Sequence, residues 1–434
     1  MERTFEAPIC RIKVKGNSEQ TSMNKSILDL DGNNIVLVRS PRENIYWTTK
    51  VSSRRYTNYI YLTSNLKQRP SEIEIIKIAK ICEKPAYKQT QKNQMDILDF
   101  TENSWTCIER YQGHITIYKP PKGPNITIKR IIKVDKELAW SIGFYLAEGN
   151  KCSYGIGITN HELNLLKLFQ DSLKKYFSIQ KKDWFIYIHS LNKNSFGKLK
   201  TELISIFQTS KIGSVKSKLA TKDTTELRIN NTLFAIIFNR FISKATKLIL
   251  KEKSLTLAFL KGYEVGDGCV LQRNGYLYGI CITVKNNNIK NILVSSLQKL
   301  YKIKPRIRKT KGCYEIICTG VNLMTEFILD KHFYSSLRQW KKLKSSYLKK
   351  QYTRSHIRYW NVLKNRELLT KEIAKITKRS HWSVLDAMNK DAKFRLVKIK
   401  QKRFRNKHGL HYVFSLTERG NELLNLLGGT DEEN

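Results

Sequence analysis

Acidic side chains are scarce in this 434-residue chain: 37 Asp and Glu stand against 79 Lys and Arg, a formal net charge of +42. That imbalance excludes a cationic partner and points to a polyanion. Nucleic acid comes before a membrane surface, because the positive charge is spread over globular-looking sequence and not concentrated on one amphipathic helix. Cysteine is nearly as uninformative as it is sparse. The eight residues at 10, 82, 107, 152, 269, 281, 313 and 318 form no CxxC pair and have no His partners at zinc-finger spacing, which excludes a zinc finger. They read as reduced thiols. No apolar run reaches about 18 residues, and the N-terminus lacks a signal-peptide core. The expectation is an intracellular protein, cytoplasmic or nucleoid-associated.

What is present is enough for packing. With 41% hydrophobic and 10% aromatic residues, the chain reads as folded, and its length allows two or three domains. Three of the eight prolines crowd into KPPKGPN, at Pro120, Pro121 and Pro124, where neither a helix nor an inner strand continues. The expected division is a region 1–125 of unassigned role, a core from 130 to 340, and a C-terminal module at 350–428. Upstream of the prolines, ICRIKVKG, NNIVLVRS and TNYIYLTS read as strands, and PSEIEIIKIAKICEK as a helix or a buried strand.

The core repeats itself. Setting Glu148 on Asp267, an offset of 267 − 148 = 119, places Ala139, Gly143, Ala147 and Gly149 on Ala258, Gly262, Gly266 and Gly268. After five extra residues in the second copy, Ile158 and Thr159 meet Ile282 and Thr283. The reading is a tandem α/β (α+β) unit, with copies at about 130–245 and 250–340 and a hairpin turning at Lys311-Gly312 in the second. Residues four apart share a helix face, so each copy presents a small-residue stripe: Ala139, Gly143 and Ala147 in one, Ala258, Gly262 and Gly266 in the other. Glycine inside a helix costs about 1 kcal/mol against alanine. Close approach of two backbones would offset that cost. Packed stripe to stripe, the helices would deliver Glu148 and Asp267 to one end of a seam, where the helix dipole disfavours negative charge. Divalent cations relieve such repulsion, and oxygen-only ligands suit Mg²⁺, with Mn²⁺ as substitute. The alternative is that these acids merely end their helices.

Residues 341–420 hold 23 Lys and Arg against 5 Asp and Glu. TKEIAKITK and RSHWSVLDAMNKD read as two helices about a tight turn, followed by two strands around a basic loop and a closing helix TERGNELLNLL. That order is expected of a winged helix-turn-helix. Leu369, Ile373, Ile376, Val384 and Met388 would form its core. Ser380, His381 and Ser383 would open the helix that faces base edges, and Lys400, Lys402, Arg403, Arg405 and Lys407 would form a basic wing on DNA.

SIGFYLAEG (141–149) and LKGYEVGDG (260–268), with VDKELAW before the first copy and GIGITN after it, resemble the paired signature of LAGLIDADG homing endonucleases. The resemblance covers about 130–340 and implies a two-motif, monomeric enzyme of pseudo-symmetric αββαββα halves. It implies sheets that saddle the major groove of double-stranded DNA, and Mg²⁺-dependent hydrolysis of both strands. By position, Glu148 and Asp267 become the catalytic metal ligands, with the backbone carbonyls of Ala147 and Gly266 as further ligands. Lys285 and Lys151 are candidates to polarise water or phosphate; the competing reading of each is an ordinary phosphate contact. His161 stands in the first copy where Lys285 stands in the second. The pattern departs from the family two positions before each acid, where Leu146 and Val265 replace an acid. Two other readings stay open: a DNA-binding transcription regulator that kept the fold and lost cleavage, and an RNA maturase assisting an intron, for which RNA would be the partner.

Overall fold

The computed structural model describes residues 91–102, 105–109, 113–118, 124–150, 154–190, 196–209, 211–216, 223–310, 312–349, 351–403 and 410–428, with five short strands before them. The chain divides into two compact units, 1–259 and 260–434.

The first unit begins with an antiparallel sheet of eight strands: β1 (Cys10–Ile12), β2 (Lys25–Leu30), β3 (Asn33–Arg39), β4 (Tyr46–Lys50), β5 (Tyr59–Tyr61), β7 (Thr106–Glu109), β8 (His114–Tyr118) and β9 (Asn125–Lys129). Their order is β2-β3-β4-β5-β1-β7-β8-β9. β1, β3 and β5 fall on the three stretches read as strands, whereas residues 70–84, read as helix or strand, lie outside the described residues. β8 and β9 pair across the proline cluster, Ile117 opposite Ile126, so the chain reverses there within one sheet. A second, two-stranded sheet joins β6 (Gln94–Asp96) to β10 (Ile131–Lys133). Between them the Arg130 guanidinium donates Nε–H and Nη2–H to Asp96 Oδ2 at 3.0 and 2.8 Å, in full burial.

Helix α1 (Lys136–Glu148) then starts at Asp135, whose carboxylate accepts from Leu138 N at 3.1 Å as an N-cap. It is followed by β11 (Gly149–Asn150), β12 (Ile156–Asn160), α2 (Leu163–Phe177), β13 (Trp184–Ser190), α3 (Phe196–Phe207), β14 (Ile212–Lys216), β15 (Thr224–Ile229) and α4 (Thr232–Ile249). The sheet runs β11-β12-β15-β13-β14. Strand alternation sends Ile156, Ile158, Trp184, Ile186, Ile188, Leu227 and Ile229 inward. In the same core the Phe177 ring meets Phe234, Phe238 and Phe241 edge-on at 5.2–5.6 Å.

Helix α5 (Lys253–Asp267) leads into the second unit: β16 (Gly268–Arg273), β17 (Tyr276–Val284), α6 (Asn287–Tyr301), β18 (Arg306–Thr310), β19 (Cys313–Thr319) and α7 (Val321–Leu329). The sheet order is β16-β17-β19-β18, and Gly312 takes φ +79° in the β18–β19 turn. This is helix, two strands, helix, two strands, helix. The first copy follows the same order with one addition. Between its third and fourth strands, α3 and β14 are inserted, and β14 pairs in parallel on the free edge of β13. A parallel neighbour requires a crossover, and α3 is that crossover. Without the insertion both sheets read first, second, fourth, third strand.

Helices α8 (Leu337–Lys349) and α9 (Gln351–Leu363) lead to the C-terminal module: β20 (Leu368–Leu369), α10 (Thr370–Thr377), α11 (His381–Lys393), β21 (Val397–Arg403), β22 (Leu410–Leu416) and α12 (Glu418–Leu426). Leu369, Ile373, Val384 and Met388 are buried as expected. Ile376 is not; it is 52% exposed, because a step of three from Ile373 carries it to the rim of the buried face of α10. Asp391 on α11 accepts from Trp360 Nε1 at 2.8 Å and pairs with His356 Nδ1 at 2.7 Å, tying α11 to α9. Among the described residues, no helix is long and apolar enough to cross a membrane.

Candidate functional site

Each signature helix ends the same way. The N–H of Gly149 bonds the carbonyl of Tyr145, and the backbone at Gly149 is already extended (φ −71°, ψ 132°), so the chain passes from helix to strand without a loop. No side chain fits: a Cβ at Gly149 would stand 2.3 Å from Tyr145 O, and one at Gly268 would stand 2.4 Å from Glu264 O. Gly268→Ala is therefore expected to cost about 1–3 kcal/mol by forced displacement of the helix end, read as a lowered urea midpoint at unchanged m-value.

In the first unit Glu148 is the last residue of α1 and half-buried. Its Oε1 accepts from Asn160 Nδ2 at 3.0 Å. Asn160, 7% exposed at the end of β12, is itself fixed, since its Oδ1 accepts from Glu162 N at 2.8 Å. The carboxylate is thus aimed by a clamped amide. Asn160 stands in the motif GIGITN, but its counterpart in the second copy is Val284, so the repeat alignment gave no reason to select it. Asn160→Ala is expected to weaken any divalent cation held at Glu148 about 10–100-fold, as loss of an orienting partner does, with the circular dichroism spectrum unchanged.

In the second unit Asp267 ends α5, also half-buried. Burial pushes its carboxyl up to about 6, against the opposing pull of the Tyr263 hydroxyl, 3.4 Å from Oδ2, and of the Lys285 charge. Lys285 is exposed just past β17; His161, its counterpart, is exposed just past β12. Lys151 lies outside the described residues. Ala139, Gly143 and Gly262 are buried, while Ala258 and the two residues preceding the acids, Ala147 and Gly266, are half-buried. Among the described residues no group of three or more His, Cys, Asp or Glu side chains converges on a metal position. A single carboxylate with oxygen neighbours still fits Mg²⁺, which keeps several waters and takes the rest of its shell from substrate phosphates.

The outward face of the first sheet holds a second polar group that the sequence reading passed over. Glu226 meets His189 Nε2 at 3.0 Å and accepts from Asn150 Nδ2 at 3.1 Å. The Arg228 guanidinium lies over the Tyr154 ring at 4.9 Å and 5.9 Å from Tyr187. Basic and aromatic side chains in such proximity suit backbone and base contacts.

In the C-terminal module Ser380 caps α11: its Oγ accepts from Ser383 N at 3.2 Å and lies 2.8 Å from Ser383 Oγ. Both hydroxyls are therefore engaged in the cap, and His381 is exposed beside them. On β21, Lys400 and Lys402 both bond Glu367, the latter at 2.8 Å, and hydrogen bonds from Lys400 and then Lys402 hold that carboxyl down to about 2. Arg403 ends β21, and Arg405 and Lys407 lie outside the described residues.

No protein family and no curated sequence matches the chain. Solved structures are similar to it, among them the following three. Full-length DUF199/WhiA from Thermatoga maritima has TM-score 0.32 and 12% identity over 60% of this chain and 91% of that one. I-DmoI in complex with DNA and Mn has TM-score 0.26 and 18% identity over 44% and 94%. I-WcaI bound to its DNA recognition sequence has TM-score 0.30 and 13% identity over 48% and 86%. At such values no residue, ligand or activity carries over to this chain.

Proposed function

We propose that the chain is a site-specific DNA endonuclease hydrolysing both strands of a duplex with a divalent metal, on the two-repeat LAGLIDADG plan of pseudo-symmetric αββαββα halves. The C-terminal module acts as a winged helix-turn-helix that adds affinity or site selection. One observation carries the reading: two small-residue helices each end on a carboxylate followed by an obligatory glycine, and each runs into a sheet whose strands share one order. Two copies in one chain supply what a one-copy protein would obtain by dimerising, so the proposed working form is a monomer.

Glu148 and Asp267, with the Ala147 and Gly266 carbonyls, would hold Mg²⁺ or Mn²⁺, which when bound supplies neutralising charge at the scissile phosphate and a lowered water pKa. The chain's own groups do the positioning. Asn160 fixes the rotamer of Glu148, and Tyr263 holds Asp267. Lys285 places a positive charge toward Asp267, where a phosphate would lie. The remaining cationic excess binds the duplex backbone, and affinity should fall steeply with salt.

A random-insert plasmid library incubated with the protein and Mg²⁺, with the linear ends sequenced, tests this. Cuts at one long site that vanish in Glu148→Gln and Asp267→Asn support it. The second reading, a binding-only regulator, is favoured by the C-terminal helix, helix, hairpin order. It predicts tight duplex binding and an intact plasmid.

A further inference from the structure

Trp382 is 77% exposed, more than any other large apolar side chain among the described residues. It is the second residue of α11, and the cap formed by Ser380 and Ser383 fixes the turn of helix that carries it. The inner side of α11 is spoken for by Val384, Ala387, Met388 and Asp391. Trp382, Asp386, Asn389 and Lys393 therefore follow one another at helical spacing on the outer side, all exposed. Exposed basic residues surround this stripe in sequence: Lys371, Lys375, Lys378 and Arg379 before it, Lys390 within it, against only Glu372 and Asp386.

An indole standing in water is stabilised by whatever covers its faces. The charge around it selects a polyanion, and the neighbours select its kind. An amide that can bond adenine, an apolar ring that can cover a thymine methyl and a lysine for phosphate are groups that read a major groove, and between them the Asp386 carboxylate accepts from Lys390 Nζ at 2.7 Å. We propose that the Trp382–Asp386–Asn389–Lys393 stripe is the sequence-reading surface of the C-terminal module, with Trp382 packed on a thymine methyl in duplex DNA. The proposal rests on the DNA-binding reading above and adds the residues that set selectivity. It moves base reading off the two capping serines, whose hydroxyls are already bonded to one another.

The test uses the full chain in Ca²⁺, with duplexes enriched from a randomised pool and binding followed by fluorescence anisotropy. Trp382→Ala should weaken the enriched duplex about 10–100-fold, one buried aromatic contact's worth, and leave unrelated duplex within about twofold, because phosphate contacts remain. Trp382→Phe should restore most of the loss. Replacing thymine by deoxyuracil at each site position in turn should weaken the parent at one position and Trp382→Ala at none. Equal affinity and equal motif for parent and Trp382→Ala, or a deoxyuracil penalty shared by both, would overturn the proposal while leaving DNA binding intact. A parent that binds no duplex would overturn both readings together.

Discussion

Asp267→Asn is expected to yield a protein that melts higher than the parent and cuts nothing. Burial penalises the charged form of Asp267 and pushes its carboxyl up to about 6, from an ordinary value of 3.8. A folded state that binds the proton more tightly than the unfolded chain is favoured at low pH. The cost of the charge therefore sets in as pH rises above about 4 and is complete above about 6. Two pK units correspond to about 3 kcal/mol; since the group is only half-buried and solvent screens it, about 1–2 kcal/mol is a fairer figure. Calorimetry in metal-free buffer at pH 7 should show Asp267→Asn melting about 3–6 °C higher, with the gap closing at pH 4. On the proposed mechanism, the same variant would also lack one of the carboxylates that hold Mg²⁺. Several kcal/mol of transition-state stabilisation amounts to at least ~10³-fold in rate. A melting temperature unmoved at pH 7 would remove the argument that Asp267 is held at a cost to the fold.

His332→Leu should be among the most damaging single substitutions in the second unit. Glu264 and His332 are both fully buried, and His332 Nδ1 lies 2.5 Å from Glu264 Oε2. On its other side the imidazole Nε2 meets the Tyr301 hydroxyl at 2.5 Å, and that hydroxyl donates to Asp330 Oδ2 at 2.7 Å. Burial first, then the Asp330 charge, raises the Tyr301 phenol, so it stays protonated and able to donate. The ring of His332 also stacks on Phe327, with centroids 4.1 Å apart. Glu264 Oε1 is buried without a hydrogen-bond partner, so His332 is what compensates this acid. Removing one member of such a pair costs about 3–5 kcal/mol, whereas replacing both by apolar groups costs much less. Glu264→Leu/His332→Leu should therefore be more stable than His332→Leu alone in urea unfolding. Additive losses would show that the pair is not coupled. The chain stands to gain a fixed α5: Glu264 sits three residues before Asp267 on the same helix.

How far the sequence could be read follows from where the information lies. Helix ends were legible, because an acid before glycine at Glu148 and Asp267 states a local rule about caps and dipoles. The order of elements in the second copy was legible from its period and from Gly312, which the turn requires at positive φ. The inserted α3 and β14 were not, although the first copy's greater length was in plain view: a parallel edge strand has no local signature distinguishing it from an antiparallel one. Asn160 and His332 were missed because their partners are chosen by the fold, 12 and 68 residues away. Trp382 was in plain sight within RSHWSVLDAM, but helical periodicity cannot tell which aromatic residues are covered. Ile376 failed in the opposite sense, apolar and at plausible spacing yet exposed.

The most direct measurement is strand-resolved end mapping of a selected duplex after incubation with Mg²⁺, comparing the parent with Glu148→Gln/Asp267→Asn at matched occupancy in a Ca²⁺ binding assay. The account predicts fixed 5′ and 3′ ends on both strands for the parent and full-length strands for the doubly substituted protein. Equal cutting by the two proteins, or intact strands from a parent that binds the duplex tightly, would contradict it.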